Sequence, residues 1–163
     1  MKNLKHLLTA LVFVSLIIFT NCGGGDGGPT PIDPADAQAA LFVDSWTLDA
    51  NGANDGGPRP DLNGLTLEFD GDGDGGDFST NIQTLISGGL DSSITTVWPA
   101  SGSWVFTTNI GFIVRSDDLT SDEVTVAISQ ANATSLILTF TIDTPAARVS
   151  GISGDWSFTF SPT

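Results

Sequence analysis

Residues 65–80 read LTLEFDGDGDGGDFST, and the architecture of the chain can be inferred from this stretch outward. Every second residue from Leu65 to Phe69 is apolar, which is the period-two pattern of a strand with one buried face. Residues 70–77 contain only aspartate and glycine, which supply the backbone conformations of tight turns. We therefore predict a β-hairpin, with its second strand over residues 78–85.

Short alternating segments recur through the rest of the chain. Trp46 and Leu48 share one face of the segment 44–49, and Trp156 and Phe158 share a face near the end of the sequence. The further predicted strands cover residues 94–98, 103–107, 112–115, 123–129, 136–142 and 156–160. About nine short strands, each with one apolar face, predict an all-β antiparallel sheet that is closed on itself or folded into a β-sandwich.

One short helix precedes the strands. Asp33 is a residue type that caps helix N-termini, and Pro34 fits the first helical position. Apolar residues then follow at helical spacing, so we predict a helix that runs to about Phe42. Residues 50–63 and 86–93 contain few groups that could pack, and we predict surface loops there.

The N-terminus has the pattern of an export signal. Two lysines precede an apolar run over residues 7–20, which is shorter than the ~20 residues that a membrane span needs. Cys22 follows, directly before a glycine-rich stretch, as at the lipid-modified cysteine of bacterial lipoproteins; an ordinary signal peptide that leaves one cysteine is the alternative. We predict three segments: a lipoprotein signal peptide (1–21), a Gly/Pro linker that begins at lipidated Cys22 (22–33), and one folded domain (34–163).

The chain is strongly acidic. Its formal net charge is −14, and loss of the leader with both lysines leaves three arginines against 19 acidic residues, a charge of −16. Such a domain repels nucleic acids, phosphate-rich ligands and anionic membrane surfaces, so we exclude nucleic acid as a partner. Solubility explains the acidity most simply, and calcium or cationic partners are the alternative.

Beyond residue 21 the chain has no histidine, lysine or tyrosine, and Cys22 is its only cysteine. The sequence therefore lacks serine–histidine triads, cysteine–histidine pairs, Schiff-base lysines and the usual zinc ligands. A glycosidase needs two carboxylates, for which Glu68 and Glu123 are the candidates. Both lie opposite the apolar face of a predicted strand, where carboxylates are ordinarily solvated, so we predict that the protein is not an enzyme.

Three predicted strands begin alike, with a tryptophan as the third residue of Asp-Ser-Trp (44–46), Gly-Ser-Trp (102–104) and Gly-Asp-Trp (154–156). In these features the chain resembles the lipocalin-like domains of Gram-negative bacterial lipoproteins. A short helix leads into the strand of Trp46, the Leu-x-Leu-x-Phe strand ends in an Asp/Gly turn, and a Gly-x-Trp-x-Phe pattern recurs twice. The resemblance covers about residues 35–163.

The resemblance implies an antiparallel up-and-down barrel of about eight strands, of the calycin type, with a cavity for a small apolar or amphipathic ligand. Trp98, Trp104 and Phe106 are the candidates for the lining of that cavity, and a role in the core is the alternative for each. The implied location is the outer membrane of the cell envelope, through the lipid anchor.

The turn at residues 70–77 carries the strongest chemical pattern. Asp70, Asp72 and Asp74 recur at every second position before a glycine, and Asp77 follows, as in the first half of a calcium loop. Oxygen ligands at alternate positions can converge on a hard cation. A solvated hairpin turn is the alternative, because aspartate and glycine also supply turns without any metal. Calcium is thus the one cofactor that the sequence points to.

A role in docking competes with the binding of a small molecule. In that interpretation the barrel is filled, and its outward face contacts another envelope protein or a polysaccharide. The outward positions of the predicted strands are rich in hydroxyl side chains, among them Thr66, Thr125, Thr139, Thr141 and Thr159.

Overall fold

The computed structural model describes residues 30–143 and 152–163. The predicted signal peptide and Cys22 lie outside the described residues. In the part that is described, no helix is long and apolar enough to cross a membrane.

Eight strands form a closed antiparallel barrel. Each strand pairs with the next in sequence, and the last strand returns to pair with the first. The strands are β1 (Ser45–Asn54), β2 (Thr66–Phe69), β3 (Gly76–Thr80), β4 (Ser101–Phe106), β5 (Phe112–Asp117), β6 (Glu123–Asn132), β7 (Ser135–Ile142) and β8 (Gly154–Pro162). The predicted all-β up-and-down barrel is confirmed, and the β-sandwich alternative is wrong.

Helix α1 (Pro34–Ala39) precedes the barrel, as the sequence predicts. The Asp33 side chain accepts a hydrogen bond from the Ala35 amide at 2.8 Å, and Pro34 stands at the first helical position. Backbone hydrogen bonds of helical type continue to Val43, whose amide donates to the carbonyl of Ala39. The chain then turns directly into β1.

One predicted strand is shorter than expected, and another is wrong. Strand β3 ends at Thr80, and helix α2 (Ile82–Ser87) takes the place of the remainder of the predicted segment 78–85. The Asn81 side chain ends the ladder there, because it accepts from the Thr66 amide and donates to the Gly64 carbonyl.

The segment 94–98, also predicted as a strand, lies largely in a 3-10 helix (Ser92–Thr96). Asp91 caps this helix by accepting a hydrogen bond from the Ser93 amide at 2.8 Å. In both segments apolar residues recur three or four positions apart, at 78, 82 and 85 and at 94 and 97, which is the spacing of a helix and not the alternation of a strand.

The predicted loop over residues 50–63 is shorter than expected. Strand β1 continues to Asn54, and its pairing with β8 shifts register between Leu48 and Ala53. Asn51 takes a positive φ of 58°, and a Cβ on Gly52 would lie 2.5 Å from the Thr159 carbonyl oxygen. A bulge therefore replaces the first part of the loop, and a second 3-10 helix (Pro60–Leu62) follows.

Alternate strand residues point into the barrel and form one apolar core. The buried inward side chains include Trp46, Leu48, Leu67, Phe69, Phe78, Trp104, Ile113, Val126, Leu136, Leu138, Phe140, Trp156, Phe158 and Phe160. Residues outside the strands add to this core at both ends. We name the end beside helix α1 the α1 end, and the end beside helix α2 and the 3-10 helix Ser92–Thr96 the α2 end.

Candidate functional site

Phe42 closes the α1 end of the barrel. Its side chain is fully buried, and its ring lies edge-on to Trp104 at 4.9 Å and to Phe69 at 5.2 Å between centroids. The Phe42 carbonyl accepts a hydrogen bond from the indole nitrogen of Trp46 at 2.8 Å. The segment that follows α1 is therefore fastened to β1 and fills the barrel at this end.

Two of the predicted lining residues lie against this plug. Trp104 is 1% exposed and Phe106 is partly buried, with 5.4 Å between their ring centroids. Phe42 contacts both rings, and the Trp104 indole donates to the carbonyl of Asp70 at 3.0 Å. The two residues contact each other in a cluster that protein side chains occupy, and a role in lining a ligand cavity stays a prediction.

Trp98, the third predicted lining residue, lies in a different cluster. It is 1% exposed and packs edge-on against Phe140, Phe158 and Phe78, at 5.5, 5.8 and 6.0 Å between centroids. Trp98 comes just after the 3-10 helix Ser92–Thr96, so its burial in the core holds that helix against the α2 end of the barrel. The structure thus places Trp98 and Trp104 in separate clusters.

Arg115 is the buried residue that the sequence analysis missed. It is 2% exposed, and its Nη2 donates to the carbonyls of Val97 at 2.6 Å and Thr96 at 3.2 Å. Its Cζ atom stands 5.3 Å from the ring centroid of Trp98. The inward alternation of β5 contains the signal, because Arg115 falls two residues after the buried Ile113.

Burial lowers the pKa of Arg115 to about 10, against the opposing effect of Asp117 and Asp122. The guanidinium therefore remains charged at neutral pH. Its Nε and the indole Nε1 of Trp98 are both buried and have no hydrogen-bond partner in the part of the chain that the structure describes. Within the described residues, ion pairs occur at Arg59 and none at Arg115.

Arg59 sits at the surface between two carboxylates. Its nitrogens approach Asp55 at 2.8 Å and Asp61 at 2.7 Å, and its Cζ lies 5.1 Å from the ring centroid of Trp156. The hydrogen bond from Arg59 lowers the pKa of Asp61, and the same pairing raises the pKa of Arg59.

The acidic turn at residues 70–77 is a tight hairpin. The Asp70 amide donates to the Asp77 carbonyl, while Asp72 and Gly75 exchange backbone hydrogen bonds at 3.1 Å. The carboxylates of Asp70 and Asp72 accept from the amides of Gly71 and Asp74, respectively.

No group of three or more histidine, cysteine or acidic side chains that could hold a metal occurs in residues 30–143 and 152–163. Helix α1 instead contacts the turn, because the Asp36 carboxylate accepts from the Gly73 amide at 2.9 Å. Calcium binding by Asp70, Asp72, Asp74 and Asp77 stays a prediction.

A groove of about 670 Å³ lies on the outside of the barrel. We call it the outer groove, and its lining residues are Asn54, Gly56, Phe112, Thr125, Ala127, Thr139, Phe140, Thr141, Asp155, Trp156 and Ser157. Most of them are outward residues of β5 to β8, whose inward neighbours form the core.

One row of residues crosses the outer groove in strict register. Phe112 pairs with Ala127, which pairs with Thr139. Thr139 pairs with Ser157, which pairs with Asn54 on β1. Neighbouring strands lie about 4.8 Å apart, so the row sets polar side chains at a regular spacing beside the ring of Phe112.

A second row adds a carboxylate to the outer groove. Thr141 pairs with Asp155, and its hydroxyl donates to Oδ1 of that residue at 2.7 Å. Thr125 and Thr141 are exposed, and Phe112 is 38% exposed. Three of the five threonines that the sequence marks as outward residues therefore meet in one groove.

A smaller groove of about 320 Å³ lies on β1 to β3 and includes Thr66, Glu68 and Asn81 in its lining. Glu68 is exposed on β2, and Glu123 is exposed on β6, a strand that does not neighbour β2. The two glutamates that the sequence offers as a carboxylate pair thus belong to different parts of the barrel wall.

No family model, curated protein or solved structure matches this chain. The resemblance to lipocalin-like lipoprotein domains stays a prediction.

Proposed function

We propose that this protein is a lipid-anchored component of the cell envelope that binds an uncharged polysaccharide along the outer groove of its barrel. The observation that carries the proposal is the register of Phe112, Ala127, Thr139, Ser157 and Asn54 across five neighbouring strands. A row of this kind is long and shallow, and it matches an extended polymer better than a compact ligand.

The chemistry of the outer groove favours sugar. Hydroxyl and amide side chains exchange hydrogen bonds with sugar hydroxyls in either direction, since each group both donates and accepts. Phe112 offers an exposed aromatic face on which the apolar face of a sugar ring can pack. The side chains stand on strands of a closed barrel, so their positions are held before binding and little conformational entropy is lost.

The charge of the groove lining and of the whole chain indicates which class of polysaccharide can bind. Among residues 30–143 and 152–163, Asp155 is the only ionisable residue in the lining of the outer groove, and its carboxylate already accepts a hydrogen bond from Thr141. No lysine or arginine of these described residues lines the groove. With a net charge of −14 on the whole chain, anionic polymers are repelled, and an uncharged glycan is the favoured partner.

Affinity electrophoresis tests the proposal with the full chain in detergent. Native gels would contain galactomannan, xylan or β-glucan as uncharged probes, and alginate as the anionic probe. We expect at least one uncharged polymer to retard the protein, and alginate to have no effect. Phe112→Ala should weaken the retardation at least tenfold, because among the described lining residues it removes the only exposed aromatic side chain.

Leu119→Ala is the matched control, since Leu119 is 89% exposed and lies outside the outer groove. It should bind like the unaltered protein. The proposal fails if no uncharged polymer retards the protein, or if Phe112→Ala and the control bind equally. Capture of an envelope protein by the groove, with no polysaccharide bound, would replace it with the docking alternative.

Anchoring is tested separately. Cys22→Ser should abolish the incorporation of labelled palmitate and release the protein from the membrane fraction. Persistence of the label in this variant would contradict the anchor and leave the test of the groove untouched.

A small apolar ligand inside the barrel is the second candidate, and Phe42 is the observation that favours it. This plug belongs to a segment outside the sheet, so displacement of that one segment would expose the rings of Trp104 and Phe106 without any loss of strand pairing. A fluorescent apolar probe such as N-phenylnaphthylamine should then bind the unaltered protein and compete with lipids. No binding at micromolar probe would count against this candidate.

A further inference from the structure

Two buried N–H donors at the α2 end of the barrel have no acceptor among the described residues. They are Nε of Arg115, which is 2% exposed, and Nε1 of Trp98, which is 1% exposed. The Arg115 Cζ stands 5.3 Å from the centroid of the Trp98 ring, so the two side chains that carry these donors are in contact. We infer that a single small anion of the size of chloride binds there and accepts from both donors.

The charge of Arg115 argues for an anion and against water alone. The acceptors that Arg115 does have are two neutral carbonyls, on Thr96 and Val97. No ion pair reaches it among the described residues, and Asp117 and Asp122 act on it only through space. A water molecule would satisfy the two donors, but it would leave a buried positive charge without a counterion.

The surroundings limit the size of the anion. The rings of Trp98 and Phe140 lie 5.5 Å apart, and Arg115 Cζ stands 5.6 Å from the Phe140 centroid. Packing this close favours a monatomic anion over a lipid head group or a phosphate, since a monatomic anion is the smallest of the three and needs few partners.

The anion would also hold the 3-10 helix Ser92–Thr96 against the barrel wall at the α2 end. Arg115 is part of β5, whereas Trp98 follows the 3-10 helix Ser92–Thr96, whose last carbonyl already accepts from Arg115. An ion held by both side chains adds a second link between this helix and the barrel wall. Bound chloride should therefore raise the stability of the folded chain.

Thermal unfolding of the full chain in detergent tests the inference. We would titrate sodium chloride against sodium gluconate at equal ionic strength, so that only the small anion differs between the two series. Chloride at ten times its Kd should raise the Tm by about 4 °C relative to gluconate, and above the Kd the rise should continue with the logarithm of the chloride concentration. Gluconate at the same concentrations should give no such rise.

Substitutions of Arg115 and Trp98 test whether the stabilisation by chloride arises at these two residues. Arg115→Met should abolish the specific response to chloride, and Trp98→Phe should raise the Kd for chloride about tenfold, because one donor is lost. Arg59→Met is the matched control, since Arg59 lies at the surface with carboxylate partners, and its response to chloride should be unchanged.

Crystals grown in sodium bromide provide a direct readout that needs no variant. We expect an anomalous peak within hydrogen-bond distance of Arg115 Nε and Trp98 Nε1. A water molecule at that position, or equal Tm curves in chloride and gluconate, would overturn the inference. It does not depend on the outer groove, so neither result bears on the binding of polysaccharide.

Discussion

Replacement of Phe42 by alanine tests how the α1 end of the barrel is closed. The Phe42 side chain is fully buried, and it contacts Phe69, Trp104 and Phe106 through edge-on aromatic pairs. A buried phenylalanine removes about 150–250 Å² from water, which is worth about 4–6 kcal/mol at 25 cal/mol per Å². Alanine retains part of that area, so we expect a loss of about 3–4 kcal/mol in the free energy of unfolding.

Urea denaturation followed by tryptophan fluorescence measures this loss, and the Tm should fall by about 10–15 °C. Leu41→Ala is the matched control, because Leu41 adjoins Phe42 but is 44% exposed. It should cost less than about 1 kcal/mol. The hydrogen bond from Trp46 to the backbone of residue 42 is available in both variants, so the difference reports the side chain alone.

The cavity that Phe42→Ala leaves gives a second readout. Its walls are aromatic, and an apolar cavity of this kind stays dry and takes up benzene. Benzene should therefore raise the Tm of the variant and leave that of the unaltered protein unchanged. A loss of stability below about 1.5 kcal/mol, or one equal to that of the control, would refute Phe42 as the plug of the α1 end.

Three further predictions follow from single contacts. Because its pairing with Arg59 lowers the pKa of Asp61, the stability that this carboxylate contributes is present above its ordinary pKa of about 4 and lost as the pH falls through the lowered value. Urea titrations at pH 7, 4 and 3 should thus show Asp61→Asn approaching the unaltered protein at acid pH, and a constant difference would contradict the pairing. Gly52→Ala places a Cβ 2.5 Å from the Thr159 carbonyl and should cost about 1–3 kcal/mol in urea denaturation, whereas Gly57→Ala, with open space around it, should be nearly neutral; equal effects would exclude the close approach. If the acidic turn binds calcium as the sequence predicts, millimolar calcium should raise the Tm more than magnesium does, and equal Tm values in the two salts would exclude the metal site and leave a hairpin turn closed by its own backbone hydrogen bonds.

Much of the barrel can be predicted from alternation alone. Strands such as β7 and β8 bury every second residue, and that pattern is visible in their sequences because one face of each strand meets the core. The segments 78–85 and 94–98 were harder to assign, since each is short and lacks the regular alternation of the other strands. Side chains elsewhere decide their conformation, as when Asn81 ends β3 by bonding to the backbone of residues 64 and 66.

The candidate sites likewise combine features that the sequence shows with features that only the structure shows. The hydroxyl residues of the outward faces are evident in the sequence, but their assembly into the outer groove depends on the register of strands that are distant in the chain. Ala127 and Ser157, for example, both pair with Thr139. Arg115 was missed because a charged residue on a strand is ordinarily assigned to the outer face, although it follows the inward alternation of Ile113, and its burial in the barrel shows that it points inward.

The sequence by itself determined that the described part of the chain is an antiparallel β-fold led by one short helix. Periodicity, capping residues and turn chemistry are local properties that a linear pattern contains. Only the tertiary structure decided that the sheet closes as a barrel instead of a sandwich, that Phe42 and Trp98 fill its two ends, and that Trp98 meets Arg115. These outcomes depend on contacts between residues far apart in the chain, whose pairing is set by the packing of the whole core.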